Sequence, residues 1–162
     1  MPAPTQAGDI QVESAADWAQ DVAERLSPCS REEAAQVLRA TLEALRERIS
    51  ATAAVTLTAQ LPDGLRAELL NARPPRRPRH VERSAPAFAA KLARQLPPGL
   101  SHAPMNVACA VFEVIASRFD PAELAAFTQH LPATLAALWP SAAGTAPEGL
   151  AGETPAAAVR RA

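Results

Sequence analysis

Two stretches of this chain carry nearly the same pattern. Laid over each other at an offset of 70 residues, Trp18–Leu69 and Phe88–Trp139 align without a gap, and thirteen of the 52 pairs are identical. The identities include Leu26/Leu96, Pro28/Pro98, Glu43/Glu113, Arg48/Arg118, Leu61/Leu131, Pro62/Pro132 and Leu65/Leu135. The substitutions are as informative. Trp18/Phe88, Val22/Leu92, Leu42/Phe112, Leu45/Ile115, Ile49/Phe119, Leu57/Phe127 and Leu69/Trp139 each keep an apolar side chain. An alanine-rich composition generates chance identities, but not a matched apolar pattern at a single offset. The expectation is an internally duplicated chain whose folding element is the repeat.

Each copy reads as about four short helices. In the first, Ser30-Arg31-Glu32-Glu33 has the form of a capping box, in which the serine hydroxyl and the glutamate carboxylate each take one of the unpaired amides at a helix start. Behind it Val37, Leu38, Thr41, Leu42, Leu45 and Ile49 recur at helical spacing, with Arg39, Glu43, Arg46 and Glu47 on other faces. The corresponding stretch of the second copy carries Val107, Val111, Phe112, Val114, Ile115 and Phe119 and is apolar on more sides, so deeper burial is expected. Asp120-Pro121-Ala122-Glu123 is expected to open a third helix, with Asp as N-cap and Pro in the first turn. Proline disfavours helical geometry in the residue before it. The Leu-Pro pairs at 61–62 and 131–132 therefore place a helix end near Gln60 and His130 and a new start at each proline. No useful stretch alternates with period two. The fold class is all-α, as two units of about four short helices.

Size sets the boundaries. A unit of about 50–60 residues is near the lower limit for independent folding, so the two are expected to share a core within one integrated domain of about 15–140. Of the 78 apolar residues 39 are alanine, which leaves a thin supply of large side chains for 162 residues. The expected division is 1–14 as a disordered N-terminus, 15–70 as the first unit, 71–83 as an Arg/Pro-rich linker, 84–140 as the second unit and 141–162 as a disordered Ala/Gly/Pro-rich tail.

The segments Glu33–Ile49, Ala59–Leu65, Ala110–Ile115 and Gln129–Leu135 resemble a bacterial family known as domain of unknown function 2267 (DUF2267). The resemblance covers about 18–139, and the tandem Leu-Pro-x-x-Leu segments are its most specific part. It implies a cytoplasmic, all-helical, duplicated protein without an established activity, and it brings no catalytic residues. The chain departs from the family where an aromatic, Gly-containing stretch follows the first Leu-Pro helix; here Asn71–His80 is rich in Arg and Pro.

Composition and spacing narrow the function. Net charge is −1, so no overall field draws the protein to nucleic acid or an anionic membrane. No apolar run approaches the roughly 20 residues of a membrane span, and the opening Met1–Asp9 lacks the basic and apolar regions of a secretory leader. Cys29 and Cys109 are expected as thiols in a reducing, cytoplasmic setting. Charge is nevertheless segregated, because residues 1–68 sum to −5 and residues 69–94 to +6. Arg73, Arg76, Arg77, Arg79 and Arg83, interleaved with Pro74, Pro75 and Pro78, are candidate contacts for an acidic partner or nucleic acid. The competing reading is a stiff, solvated spacer, and no aromatic residue lies in the run to stack on bases. Leu65, Leu69, Leu135 and Trp139 are candidates for a partner groove, against the plainer expectation that they close the core.

His80, His102 and His130 lack a second ligand at metal-binding spacing, and no cofactor is expected. Cys29, beside a helix start, is the one candidate nucleophile, with a thiol expected to ionise more readily than usual. Nothing nominates a nucleophile, a base and an oxyanion donor together. The expected function is a non-catalytic helical protein-interaction module, an adaptor or regulator with a protein partner and no membrane. The alternative is a nucleic-acid-associated protein using the linker, with a thiol-dependent enzyme third.

Overall fold

The computed structural model describes residues 14–71 and 84–140; the expected disordered ends and nearly all of the Arg/Pro linker lie outside the described residues. Within them the chain is all-helical: α1 (Ala15–Arg25), α2 (Arg31–Arg46), α3 (Ala51–Gln60), α4 (Asp63–Asn71), α5 (Ala85–Gln95), α6 (Pro104–Ala116), α7 (Pro121–Gln129) and α8 (Ala133–Ala136). The starts of α5, α7 and α8 fall 70 residues after those of α1, α3 and α4, and α6 ends 70 residues after α2.

Local chemistry accounts for most boundaries. Ser14, Ser30, Ser50 and Ser84 are N-caps whose hydroxyls accept the amides of Asp17, Glu33, Ala53 and Ala87. Two of the four are full capping boxes. The Ser30 amide donates to the Glu33 carboxylate at 2.8 Å, and the Ser14 amide donates to Asp17 at 2.8 Å. These backbone bonds, and then the serine hydroxyls, hold both carboxyls below their ordinary ionisation range. A carboxyl whose folded pKa is depressed adds stability above its unfolded value and withdraws it as pH falls through the folded one. The Asp17→Asn/Glu33→Gln double variant should therefore lose less stability than the parent in denaturant titrations between about pH 5 and pH 3; parallel curves would contradict the box contribution.

The later helices use proline instead. α6 and α7 carry Pro in the first turn, and neither has a side-chain cap bond. Asp120 occupies the N-cap position expected of it, but its carboxylate does not cap. At the Leu-Pro pairs α3 ends at Gln60 and α7 at Gln129, while α4 and α8 begin one residue after the proline rather than on it. The apolar periodicity also overruns the helices: α2 stops at Arg46 and α6 at Ala116, so Ile49 and Phe119 sit in the following turns and still pack on the core. Those turns match at the same offset, with the Arg48 amide bonded to Leu45 O at 2.9 Å and the Arg118 amide to Ile115 O at 3.0 Å. Between α5 and α6, Gly99 supplies the left-handed conformation (φ 91°) that the short connection needs.

Helices α2 and α6 form the centre. α1 packs on α2 and α6, α5 packs on α6 and α2, α2 meets α6, α3 meets α7, and α4 lies against α1, α2 and α3. The α1–α6 and α2–α5 contacts are the same pairing with the two halves exchanged, which is how an isologous interface is built. Eight of the thirteen residues of α6 are buried, against eight of sixteen in α2, so the more apolar helix is the deeper one.

The exchange extends to side chains. The Arg48 guanidinium lies over the Phe88 ring at 5.4 Å, and the Arg118 guanidinium lies over Trp18 at 5.1 Å. Arg48 also donates to Ala44 O at 3.1 Å and to Ala87 O at 3.3 Å across the interface. Arg118 pairs with Asp21, and Glu47 pairs with Lys91. Positions 21 and 91 correspond at the same offset but carry opposite charges, and Lys91 is met by Glu47, the residue before Arg48, rather than by the counterpart of Arg118. Inside, Phe112 stacks on Trp139 at 4.5 Å and leans on Phe88 at 6.1 Å, while Phe127 meets Trp139 edge-on at 4.9 Å and stacks on Phe119 at 5.4 Å.

Candidate interaction surface

The Leu-Pro-x-x-Leu leucines face inward. Leu65, Leu69, Leu135 and Trp139 are all buried, with Leu135 fully enclosed and Trp139 between Phe112 and Phe127. What Leu65 and Leu69 offer outward is the floor of hollows flanking α4. One of about 420 Å³, between α1, α2 and α4, is lined by Ala15, Ala19, Leu38 and Leu65, with Arg31, Glu32 and Arg39 among its walls. A smaller one of about 160 Å³ holds Leu65 and Leu69 with Arg39, Glu43 and Glu68. Neither Leu135 nor Trp139 lines either hollow. Arg73, Arg76, Arg77, Arg79 and Arg83, like His80, lie outside the described residues.

The third hollow, about 380 Å³ between α3 and α4 at the end of α2, differs in kind. Its walls are Ala54, Val55, Thr58, Ala59, Leu69 and Leu70, and its two charged residues, Arg46 and Arg66, have the same sign. Val55 is 71% exposed and Leu70 63%, the exposed large apolar residues among those described. Geometry explains both. In a helix of 3.6 residues per turn, α4 can aim Leu65 and Leu69, four apart, at the core, which turns Leu70 about 100° away. Val55 lies two residues from buried Ala53 and from buried Leu57, on the opposite side of α3.

Arg66 builds the rim of this hollow and fastens the two helices together. Its Nε donates to Thr58 O at 3.1 Å, and its Nη2 donates to Ala59 O at 3.3 Å and Leu61 O at 3.0 Å. These carbonyls lie at the end of α3, where i+4 amides run out and Thr58 O takes only the Leu61 amide of the closing turn, so the guanidinium acts as a C-terminal cap from the neighbouring helix. Asp63 sits 3.5 Å from the same guanidinium.

Sequence reasoning missed Val55 and Leu70 because it weighed the Leu-Pro-x-x-Leu positions. A usable signal was present: Leu69 and Leu70 are adjacent, and a short helix with one buried face cannot bury both.

The remaining candidates have structural settings. His102 Nε2 donates to Leu26 O at 2.7 Å, joining the approach to α6 with the end of α1. His130 is the C-cap residue of α7. Among the described residues no group of three or more His, Cys, Asp or Glu gathers at metal-binding distance. Cys29 and Cys109 are free thiols, each partly buried.

The structure corrects the expectation for Cys29. Partial burial and then the Glu33 carboxylate raise its thiol above the ordinary value, outweighing the helix start beside it. Iodoacetamide at neutral pH should alkylate Cys29 more slowly than an unstructured peptide thiol, with peptide mapping as the readout; faster labelling would contradict this environment.

Among the described residues no helix is long and apolar enough to cross a membrane. No curated protein matches the chain. A family model described as an uncharacterized conserved protein (DUF2267) matches residues 15–138.

Proposed function

The chain belongs to the DUF2267 family, and we propose that it is a non-catalytic helical protein-interaction module, an adaptor or regulatory element. One observation carries the reading: Val55 and Leu70, on two different helices, stand exposed over the same hollow. Single exposed apolar side chains are ordinary, but neighbouring ones around an apolar concavity mark a surface that a partner covers. A docked helix would set its apolar side chains into such a concavity. The reading includes an internal duplication, supported by the recurring helix boundaries and by the exchanged Arg48–Phe88 and Arg118–Trp18 contacts. A bacterial, cytoplasmic setting belongs to the reading as well, and the two free thiols support its reducing, cytoplasmic part.

The test is capture by the tagged full chain from native lysate, with and without nuclease. A stoichiometric protein that survives nuclease, and that the Arg76→Ser/Arg77→Ser/Arg79→Ser variant still retains, is the expected result. If all captured material vanishes with nuclease, the function moves to nucleic acid and the Arg/Pro segment.

A further inference from the structure

Charge at the rim of the surface between the halves differs from one side to the other. Across it Asp21 of α1 meets Arg118, and Lys91 of α5 meets Glu47. At the 70-residue offset Asp21 corresponds to Lys91 and Glu47 to Ser117, while Arg48 and Arg118 are the same residue in both halves. The first half therefore presents two carboxylates where the second presents an ammonium and a hydroxyl. The Glu47 and Arg118 side chains are 15% and 16% exposed, so these pairs are less screened than ion pairs in open solvent. Arg25 and Glu113 also meet across the halves, at 3.4 Å, but both are exposed and count for less.

Packing turns that difference into selection. The helices meet as α1 on α6 and α5 on α2, one arrangement with the halves exchanged. If two first halves met in this way, Glu47 would face Asp21, with Arg48 left to serve both carboxylates. Two second halves would bring Arg118 against Lys91 with no carboxylate at either position. Like charges set against each other are one means by which an interface rejects a wrong partner of similar shape. We propose that Asp21, Glu47, Lys91 and Arg118 are the specificity residues of this surface: through them each half accepts the unlike half and rejects a second copy of itself. The units then pair one to one within a chain rather than like with like between chains. The proposal rests on the internal duplication included in the reading above and adds which residues decide the pairing.

Exchanging residues between corresponding positions tests this in the full chain. Lys91→Asp/Ser117→Glu gives the second half the charges of the first, and Asp21→Lys/Glu47→Ser gives the first half those of the second. Each imitates a like-with-like pairing. Both are expected to lower the folding equilibrium constant, read by urea unfolding, by about tenfold or more. The larger loss belongs to Asp21→Lys/Glu47→Ser, which leaves cations alone at both places, and either loss should shrink in about 1 M salt. The variant with all four substitutions exchanges the two patterns and sets opposite charges together again, so its midpoint should return close to the parent's. Because it contains every substitution of the other two, recovery cannot come from the new residues taken singly.

Two results would overturn the proposal. If the fourfold variant loses as much as the two double variants combined, the positions are not equivalent, and the duplication fails at this surface together with the proposal. If the double variants match the parent, the charges decide nothing; the proposal fails, and the duplication keeps its support from the exchanged arginine–aromatic contacts. Where a double variant does not fold, the fourfold variant decides alone, a parent-like midpoint upholding the proposal and an unfolded chain overturning it. Helices α3 and α4 are unaltered in every variant, so capture of a lysate partner reads the interaction module separately.

Discussion

Replacing Phe112 with alanine should destabilise the protein by about 3–5 kcal/mol. Phe112 is fully buried near the centre of α6, stacked on Trp139 at 4.5 Å and in contact with Phe88 at 6.1 Å. Truncation removes the transfer energy of the ring and leaves a hole whose walls come from α5, α6 and the turn after α8. Alanine supplies half of the apolar residues, so few large side chains are at hand to collapse into the space. Because α6 also packs on α1 and α2, the loss should be felt by both halves, and denaturant unfolding should remain one transition at a lower midpoint. Phe112→Leu, with a smaller loss, keeps the measurement possible if the alanine variant does not fold. Two separate transitions, with the α1–α4 half unaffected, would show that the halves do not share a core.

Arg48→Ala should cost about 2–3 kcal/mol, more than a surface arginine would, because its side chain is 4% exposed and both its hydrogen bonds and its packing are lost. Ala87 O loses a donor from the other half of the chain, and Phe88 loses the cation over its ring. Burial disfavours the Arg48 charge, the Glu47 carboxylate beside it supports that charge, and its buried Nε has no hydrogen-bond partner. A desolvated charge that is imperfectly paired can often be replaced by a hydrophobe of similar length without loss. Arg48→Met should therefore recover most of what Arg48→Ala loses. Equal destabilisation by the two variants would place the energy in the carbonyl hydrogen bonds rather than in packing. Arg118→Ala, at the corresponding position, should add to Arg48→Ala nearly independently, since Arg48 holds Phe88 and Ala87 O while Arg118 holds Trp18 and Asp21.

The local layers of this fold were legible in the sequence. Ser30 and Glu33 announce a helix start because both groups needed to satisfy its amides lie three residues apart, and the Leu-Pro pairs announce ends because proline constrains the residue before it. The deeper burial of α6 follows from its apolar residues on nearly every side. Features that depend on contacts between halves were not legible. Periodicity cannot show that α2 stops at Arg46, because the turn that follows carries Arg48 back to Ala44 O and across to Ala87 O. The identity of Arg48 and Arg118 was visible, but that each would stack on the other half's first large aromatic was not. The surface was the least legible part. Leu65, Leu69, Leu135 and Trp139 draw the eye through their repetition, and it is the core that their matched spacing serves. Val55 and Leu70 have no apolar counterpart of similar size, the corresponding positions being Ala125 and Pro140.

The most direct measurement is site-specific photocrosslinking in cells with a photoreactive amino acid at position 55. The control places it at Asn106, an exposed position on α6. If α3 and α4 carry the partner surface, position 55 yields one dominant protein adduct, Leu70→Asp removes it, and position 106 yields none. Equal adduct patterns at the two positions, or an adduct at 55 that survives Leu70→Asp, would contradict the account.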